Sequence, residues 1–274
     1  MFESVLLFRE ALYGALVIAV ACSVLGVYVV LRRIVFVGAA LAQISSAGIA
    51  IALWLSGQGL LPGVAGHPLA VSLLITLGGV VFFSSTGKGH IPPDATIGVA
   101  YAVAAAAGII FIAKAKSGEA HDIFLQGNIL GITRTDTLVL LASSIPVLLA
   151  HLVFYKEFLF VSFDRETART LGYNVRAWDL ALYFTLGLVI AFAMQFAGVM
   201  LVFNFLVLPA VTGMLLARGM SGMFAISVAS AVLAAVVGFA LSIPFDLPSG
   251  PAIGAVSGAL LGTAWVVQRV RRRA

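Results

Sequence analysis

The sequence predicts an all-α fold, a polytopic membrane bundle of about nine transmembrane helices, with eight as the alternative count. Three observations carry this. Apolar residues make up 62% of the 274 and charged residues only 10%, against roughly 25% charged in an ordinary soluble domain. Seven uncharged runs have about the ~20 residues that a helix needs to cross a bilayer, or more. None of them alternates polar and apolar residues as a transmembrane β-barrel strand does.

The elements follow in chain order. Run 11–31 is a retained span, because the residues around Glu3 supply no basic segment of the kind that opens a cleaved leader. It contains Cys22, the only cysteine, so no internal disulfide forms and Cys22 reads as a packed small hydrophobe. Run 34–87 is long enough for two spans and breaks at turn signals in 56–59 and 62–68; His67 there is an isolated loop residue. Gly87, Lys88 and Gly89 form a basic turn without the spacing of a phosphate-cradling loop, so this chain does not hydrolyse ATP by itself. Pro92, Pro93 and Asp94 are a stiff entry to the fourth span, 95–113, with Asp94 as its N-cap. The fifth span is 137–155; His151, near its end, is expected at the interface with a local hydrogen bond.

Run 180–217 supplies a tight pair of spans with a break at 195–198. Runs 219–245 and 247–268 complete the set, joined by a turn over 246–251. Gly254, Gly258 and Gly262 recur every four residues and make a smooth face for a neighbouring helix or a second subunit. Within these runs there is no acidic residue. The polar residues inside them include Gln43, Ser45, Ser46, Gln195, Asn204 and Thr212, and such groups ordinarily tie helices together.

Charge sets the orientation. With nine spans and the N-terminus outside, twelve of the sixteen basic residues fall on inner loops, among them Arg32, Arg33, Lys156, Arg165, Arg169 and Arg269. An N-out, C-in topology is therefore expected, with His90 inside. The net charge of +5 reads as contact with the lipid of the inner leaflet rather than with nucleic acid.

The segment 156–176 then lies in the cytoplasm. Six charges from Lys156 to Arg169 are not retained at membrane depth. Asp164 is an N-cap, Glu166 and Thr167 fill a first turn and Gly172 is a C-terminal stop, which together define a short helix over 163–172. From pattern alone it is either an ordinary solvated connection or the contact that a transporter offers to a soluble motor. On the opposite side Glu119, His121 and Asp122 form an acidic and imidazole cluster, read as a solvated docking loop or as a metal site at the entrance.

Motifs spread over nearly the whole chain resemble those of a known family. They include Gly26-Val-Tyr-Val-Val-Leu-Arg32-Arg33, Gly38-Ala-Ala-Leu41, Gly48-Ile-Ala50, Asp94-Ala-Thr-Ile-Gly98 and Gly127-Asn-Ile-Leu-Gly131. Further along come Phe158-Leu-Phe-Val-Ser-Phe-Asp164, Ala168-Arg-Thr-Leu-Gly172, Gly198-Val-Met-Leu-Val202, Leu206-Val-Leu-Pro209-Ala210 and Asp246-Leu-Pro-Ser-Gly-Pro251. In this order and spacing the sequence is similar to the integral membrane subunits of the zinc/manganese/iron class of ABC importers. The resemblance implies one permease domain over 1–274 in a prokaryotic cell membrane. It implies a homodimer with the pathway between subunits, a separate ABC ATPase holding ATP and Mg²⁺, and an extracytoplasmic solute-binding protein. No cofactor is implied in this chain. The 163–172 helix becomes the coupling element, with Asp164, Arg165, Glu166, Ala168, Arg169 and Gly172 as its residues.

One departure bears on the cargo. Typical members carry an Asp and a His four residues apart on the second span, in a Gly-Asp-x-Leu-x-His pattern that turns both side chains to one face, a sensible transient site for a divalent transition metal. Here Ala39 and Gln43 stand there. Gln43, Ser46 and Asn204 are then the candidate pathway residues, with Gln43, His121 and Asp122 the candidate metal ligands. A pathway of amides and hydroxyls suits a hydrated or chelated ion, or another solute. An ion-driven secondary transporter and a transport-inactive family member remain alternatives; the first ordinarily shows internal repeats and an intramembrane ionisable group, whereas this sequence has no convincing repeat and no acidic residue in a span.

Overall fold

A computed structural model describes residues 9–59, 67–85, 92–115 and 129–272, and among them every regular element is helical. In chain order the helices are α1 (Arg9–Leu31), α2 (Val35–Gly57), α3 (Pro68–Ser85), α4 (Pro93–Lys114), α5 (Arg134–Val153), α6 (Tyr155–Phe163), α7 (Arg165–Thr170), α8 (Val175–Leu216), α9 (Met220–Ser242) and α10 (Ser249–Arg271), with a 3₁₀ turn at Ile129–Gly131 before α5. All but α6 and α7 are apolar and long enough, or nearly so, to cross a membrane.

The number of crossings is decided inside α8. Its 42 residues would extend ~63 Å as one straight helix, about twice the ~30 Å hydrocarbon core. The chain breaks at Gly198, where φ is 71° and ψ 167°, a backbone region essentially confined to glycine. Asp179, before the break, binds Arg32 at the end of α1, and Ala210, after it, packs against Val27 of that same end. In a straight helix those two residues would stand ~46 Å apart. The two arms therefore run antiparallel, the break falls in the expected 195–198 interval, and the crossings among the described residues number nine.

Two ends of the bundle are thereby defined. At one end lie Arg32, α6, α7 and the start of α9. At the other, the Thr137 hydroxyl of α5 donates to the Glu10 carbonyl of α1 at 3.4 Å, and Trp54 of α2 meets Phe111 of α4 with ring centroids 5.3 Å apart.

Helix α1 is the axis of the core. Ala15, Ala19, Cys22, Leu25 and Val29 have essentially no exposed surface, and α1 packs against α8, α9 and α5. Backbones approach closely where glycine removes the side chain: a Cβ on Gly26 would sit 1.9 Å from the Leu206 carbonyl oxygen. Buried hydroxyls add cross-links, with Ser45 and Ser72 sharing a 2.8 Å hydrogen bond and Ser227 donating to the Ser23 carbonyl at 3.1 Å. Interfaces of small residues with hydroxyl cross-links are what helix packing requires where lipid cancels the hydrophobic drive.

Four expectations are corrected. The N-cap of α4 is Pro92, and Asp94 is already the second helical residue, because Pro93 fits the first helical position, where its fixed φ is suitable and no N–H is needed. The charged connection holds two helices rather than one, since α6 buries Phe158 and Val161. His151 is only 2% exposed; it stacks on Phe158 at 4.2 Å and shares a 3.0 Å hydrogen bond with Thr185 of α8, so its bond crosses between helices. The glycine face of α10 divides: Gly254 lies against the Asn204 amide, whereas a Cβ on Gly258 or Gly262 would meet nothing within 4 Å.

Gly26→Ala should destabilise the protein by about 1–3 kcal/mol through overpacking, read as a lower thermal midpoint in detergent, while Gly78→Ala, which faces open space, should leave the midpoint nearly unchanged. Gly198→Ala should cost about 1–3 kcal/mol because its φ strains any L side chain; an unaltered midpoint would mean that the break does not depend on glycine.

Candidate functional site

Helix α7 is short and capped at both ends. At its start Asp164 accepts the Thr167 N–H at 2.9 Å and the Thr167 hydroxyl at 2.6 Å. These bonds, the hydroxyl's first, hold the exposed Asp164 carboxyl below its ordinary range because they favour the charged form. At its end Gly172 takes φ 86°, the Gly172 N–H bonds the Arg169 carbonyl at 3.1 Å and the Tyr173 N–H bonds the Ala168 carbonyl at 3.0 Å. That pair of reverse bonds satisfies carbonyls that a helix end otherwise leaves open.

The inner face of α7 is fixed by Ala168, fully buried with Val161 of α6 and Val175 of α8. Its other anchor is ionic. Asp179 of α8 accepts from Arg32 and from Arg165 at 3.0 Å, so one carboxylate joins the end of α1, the start of α8 and α7. The Arg32 side chain is 2% exposed and that of Arg165 48%. Arg32 also donates to Ser162 of α6 at 2.8 Å. What remains outward is a compact knob: Glu166, Arg169 and Arg176 are exposed, beside the exposed side chains of Phe163, Leu171 and Tyr173. All six residues expected for this element lie on α7 or its caps. Asp179, which holds the element in place, was missed, although a lone acid just before the apolar run at 180 was a visible signal.

The pathway residues do not converge. Ser46 is buried and Gln43 half-buried. Asn204 is buried and donates to Ser257 of α10 at 3.2 Å. The amide oxygens of Gln43, Gln195 and Asn204 find no partner among the described residues. The large groove of the described residues, about 770 Å³, runs past Ala39 and is walled by α2, α4 and the second arm of α8; none of Gln43, Ser46 and Asn204 lines it. Glu119, His121 and Asp122 lie outside the described residues, among which no cluster of three His, Cys, Asp or Glu is arranged to hold a metal.

A family model described as the ABC 3 transport family matches residues 4–268. The chain is 31% identical over 245 residues to the manganese transport system membrane protein MntC of Listeria innocua, covering 89% of this chain and 85% of that one. It is 26% identical over 267 residues to the chelated iron transport system membrane protein YfeD of Yersinia pestis, covering 96% and 86%. Among solved structures, PsaBC from Streptococcus pneumoniae in complex with Fab superposes with a TM-score of 0.81 at 26% identity, covering 94% of this chain and 90% of that one.

Asp179→Ala should destabilise the protein by about 3–5 kcal/mol, because it strands a buried arginine; a thermal melt checks this. The Asp164 cap follows pH with a definite sign. Its folded pKa is lowered, so its contribution to α7 is complete above the ordinary carboxylate range and fades as pH falls through the lowered value. Amide exchange across 165–170 should quicken there relative to its own pH baseline, and Asp164→Ala should show the quickened exchange at neutral pH.

Proposed function

The chain belongs to the ABC 3 transport family, and we propose that it is the permease subunit of an ATP-driven importer of a divalent transition metal, of the manganese, iron or zinc kind. The observation that carries this reading is α7, capped at both ends and bound through Asp179 to α1 and α8. A short rigid helix standing out from an apolar bundle, and tied by charge to its central helix, is suited to receive a push from a soluble motor. The ATPase is a separate subunit carrying ATP and Mg²⁺, and the knob of Phe163, Glu166, Arg169 and Leu171 docks into it. On this reading the Arg32 end faces the cytoplasm and the start of α1 faces outward, in agreement with the excess of basic residues on inner loops. A second copy of the chain completes the pathway, and an extracytoplasmic binding protein delivers the cargo.

The chain makes and breaks no bond in this scheme. Closure of the ATPase on ATP moves α7, the shared carboxylate carries that motion to α1 and α8, and the bundle opens to one side or the other. Metal as cargo is supported by the relatives named for manganese and for chelated iron. Ala39 and Gln43 favour a passage that holds the ion loosely, since an alanine and a neutral amide replace a carboxylate and an imidazole. The same departure supports a second reading, import of another solute by the same machinery.

Manganese uptake in cells co-expressing the chain, its ATPase and its binding protein should be present for the unmodified protein. Uptake by an Ala39→Asp/Gln43→His double variant alone would overturn the metal assignment and leave the permease role standing. Gly172→Pro should separate ATP hydrolysis from uptake, with hydrolysis continuing and uptake lost; normal substrate-stimulated uptake would remove α7 from the coupling role.

A further inference from the structure

The groove beside Ala39 contains a charge that the scheme above has not used. Its walls are Phe36 and Ala39 of α2, Asp94 and Tyr101 of α4, and Met200 and Phe203 of α8 among others, and among the described residues Asp94 is the one charged residue lining it. Among the described residues the Asp94 carboxylate has no ion pair and no hydrogen bond. Asp94 is exposed, at the mouth that opens toward the Arg32 end, in the first turn of α4.

The electrostatics of this arrangement favour a cation. Apolar walls of low dielectric focus the field of a single carboxylate along the groove and raise the local cation concentration. The N-terminus of α4 offsets only about half a unit charge, so the described lining stays net negative. Its size fits an ion that keeps its water. Six waters at about 30 Å³ each occupy roughly 180 Å³, well within about 770 Å³. The methyl of Ala39 offers no competing donor on the facing wall. A carboxylate with water in the remaining positions is a donor set suited to manganese and to other borderline-hard divalent ions.

We infer that Asp94 is a cargo-binding residue of this chain, taking a hydrated divalent transition-metal ion at the Arg32-end mouth of the groove. The assignment rests on the metal-import reading, and it moves the acidic contact from α2, where Ala39 cannot supply one, to α4. Met200 and Tyr101 line the groove beside it, so the ion meets one charged ligand and is held loosely enough to leave.

The test uses the permease–ATPase complex in lipid nanodiscs without the binding protein. Mn²⁺ is titrated and the free aqua ion is followed by electron paramagnetic resonance. Asp94→Asn should weaken retention about tenfold or more, in the range usual for lost metal-site partners, and Asp94→Glu should restore most of it. Equal retention by Asp94→Asn and the unmodified complex would overturn the inference, as would the absence of any retention by the unmodified complex. Should Asp94→Asn fail to assemble, carbodiimide labelling of the unmodified complex decides the matter: protection of Asp94 by Mn²⁺ supports the site, and labelling indifferent to Mn²⁺ overturns it. Uptake in cells separates this from the import reading. Manganese import with no role for Asp94 sinks the site alone, whereas absence of any metal import sinks the reading on which it rests.

Discussion

The carboxylate of Asp179 is the contact on which the working geometry depends. It sits where an apolar bundle meets a polar surface, and it serves Arg32, almost wholly buried, together with Arg165, half exposed. Arg32 cannot lose its charge, so burying it demands a permanent counter-charge. That demand fixes α8 beside α1, and the spare capacity of the same carboxylate holds α7 in place. One side chain thus balances a buried charge and anchors a short helix. The arrangement also explains why the charged connection is ordered rather than loose: Ala168 and α6 pack beneath it, and both ends of α7 are satisfied by its own caps.

Away from that end, small residues set the distances. Gly26 lets the Leu206 carbonyl come within contact of α1, and buried serines cross-link α2 with α3 and α9 with α1. Lipid offers apolar side chains as good a home as a neighbouring helix does, so close backbone approach and hydroxyl bonds must supply the adhesion. The break at Gly198 belongs to the same economy of small residues, since only glycine accepts that backbone conformation at low cost. Its effect is to fold one apolar stretch into two crossings, one of which walls the groove beside Ala39.

The polar groups that remain in the bundle divide into two kinds. Ser45, Ser72, Ser227 and His151 have partners on other helices and act as ties. The amide oxygens of Gln43, Gln195 and Asn204 have none among the described residues, and among those residues the Asp94 carboxylate, which lines a groove, has no ion pair either.

The class, the apolar runs and the short capped helix were legible in the sequence, which left nine or eight crossings open. Long uncharged runs admit only helices in lipid, because every backbone N–H and C=O must be satisfied within the segment. The caps of α7 were legible because Asp164 and Gly172 act on neighbours a few residues away. The break was legible only to the interval 195–198, and the structure assigns it to Gly198. Tertiary structure decided what depends on distant pairs. That Asp179 meets Arg32, that His151 bonds Thr185, and that Asp94 rather than Gln43 lines the groove all follow from how helices far apart in sequence rotate and cross. Nine apolar helices offer weak amphipathic signals, so nothing local in the chain states which face of α2 or α4 turns toward a groove.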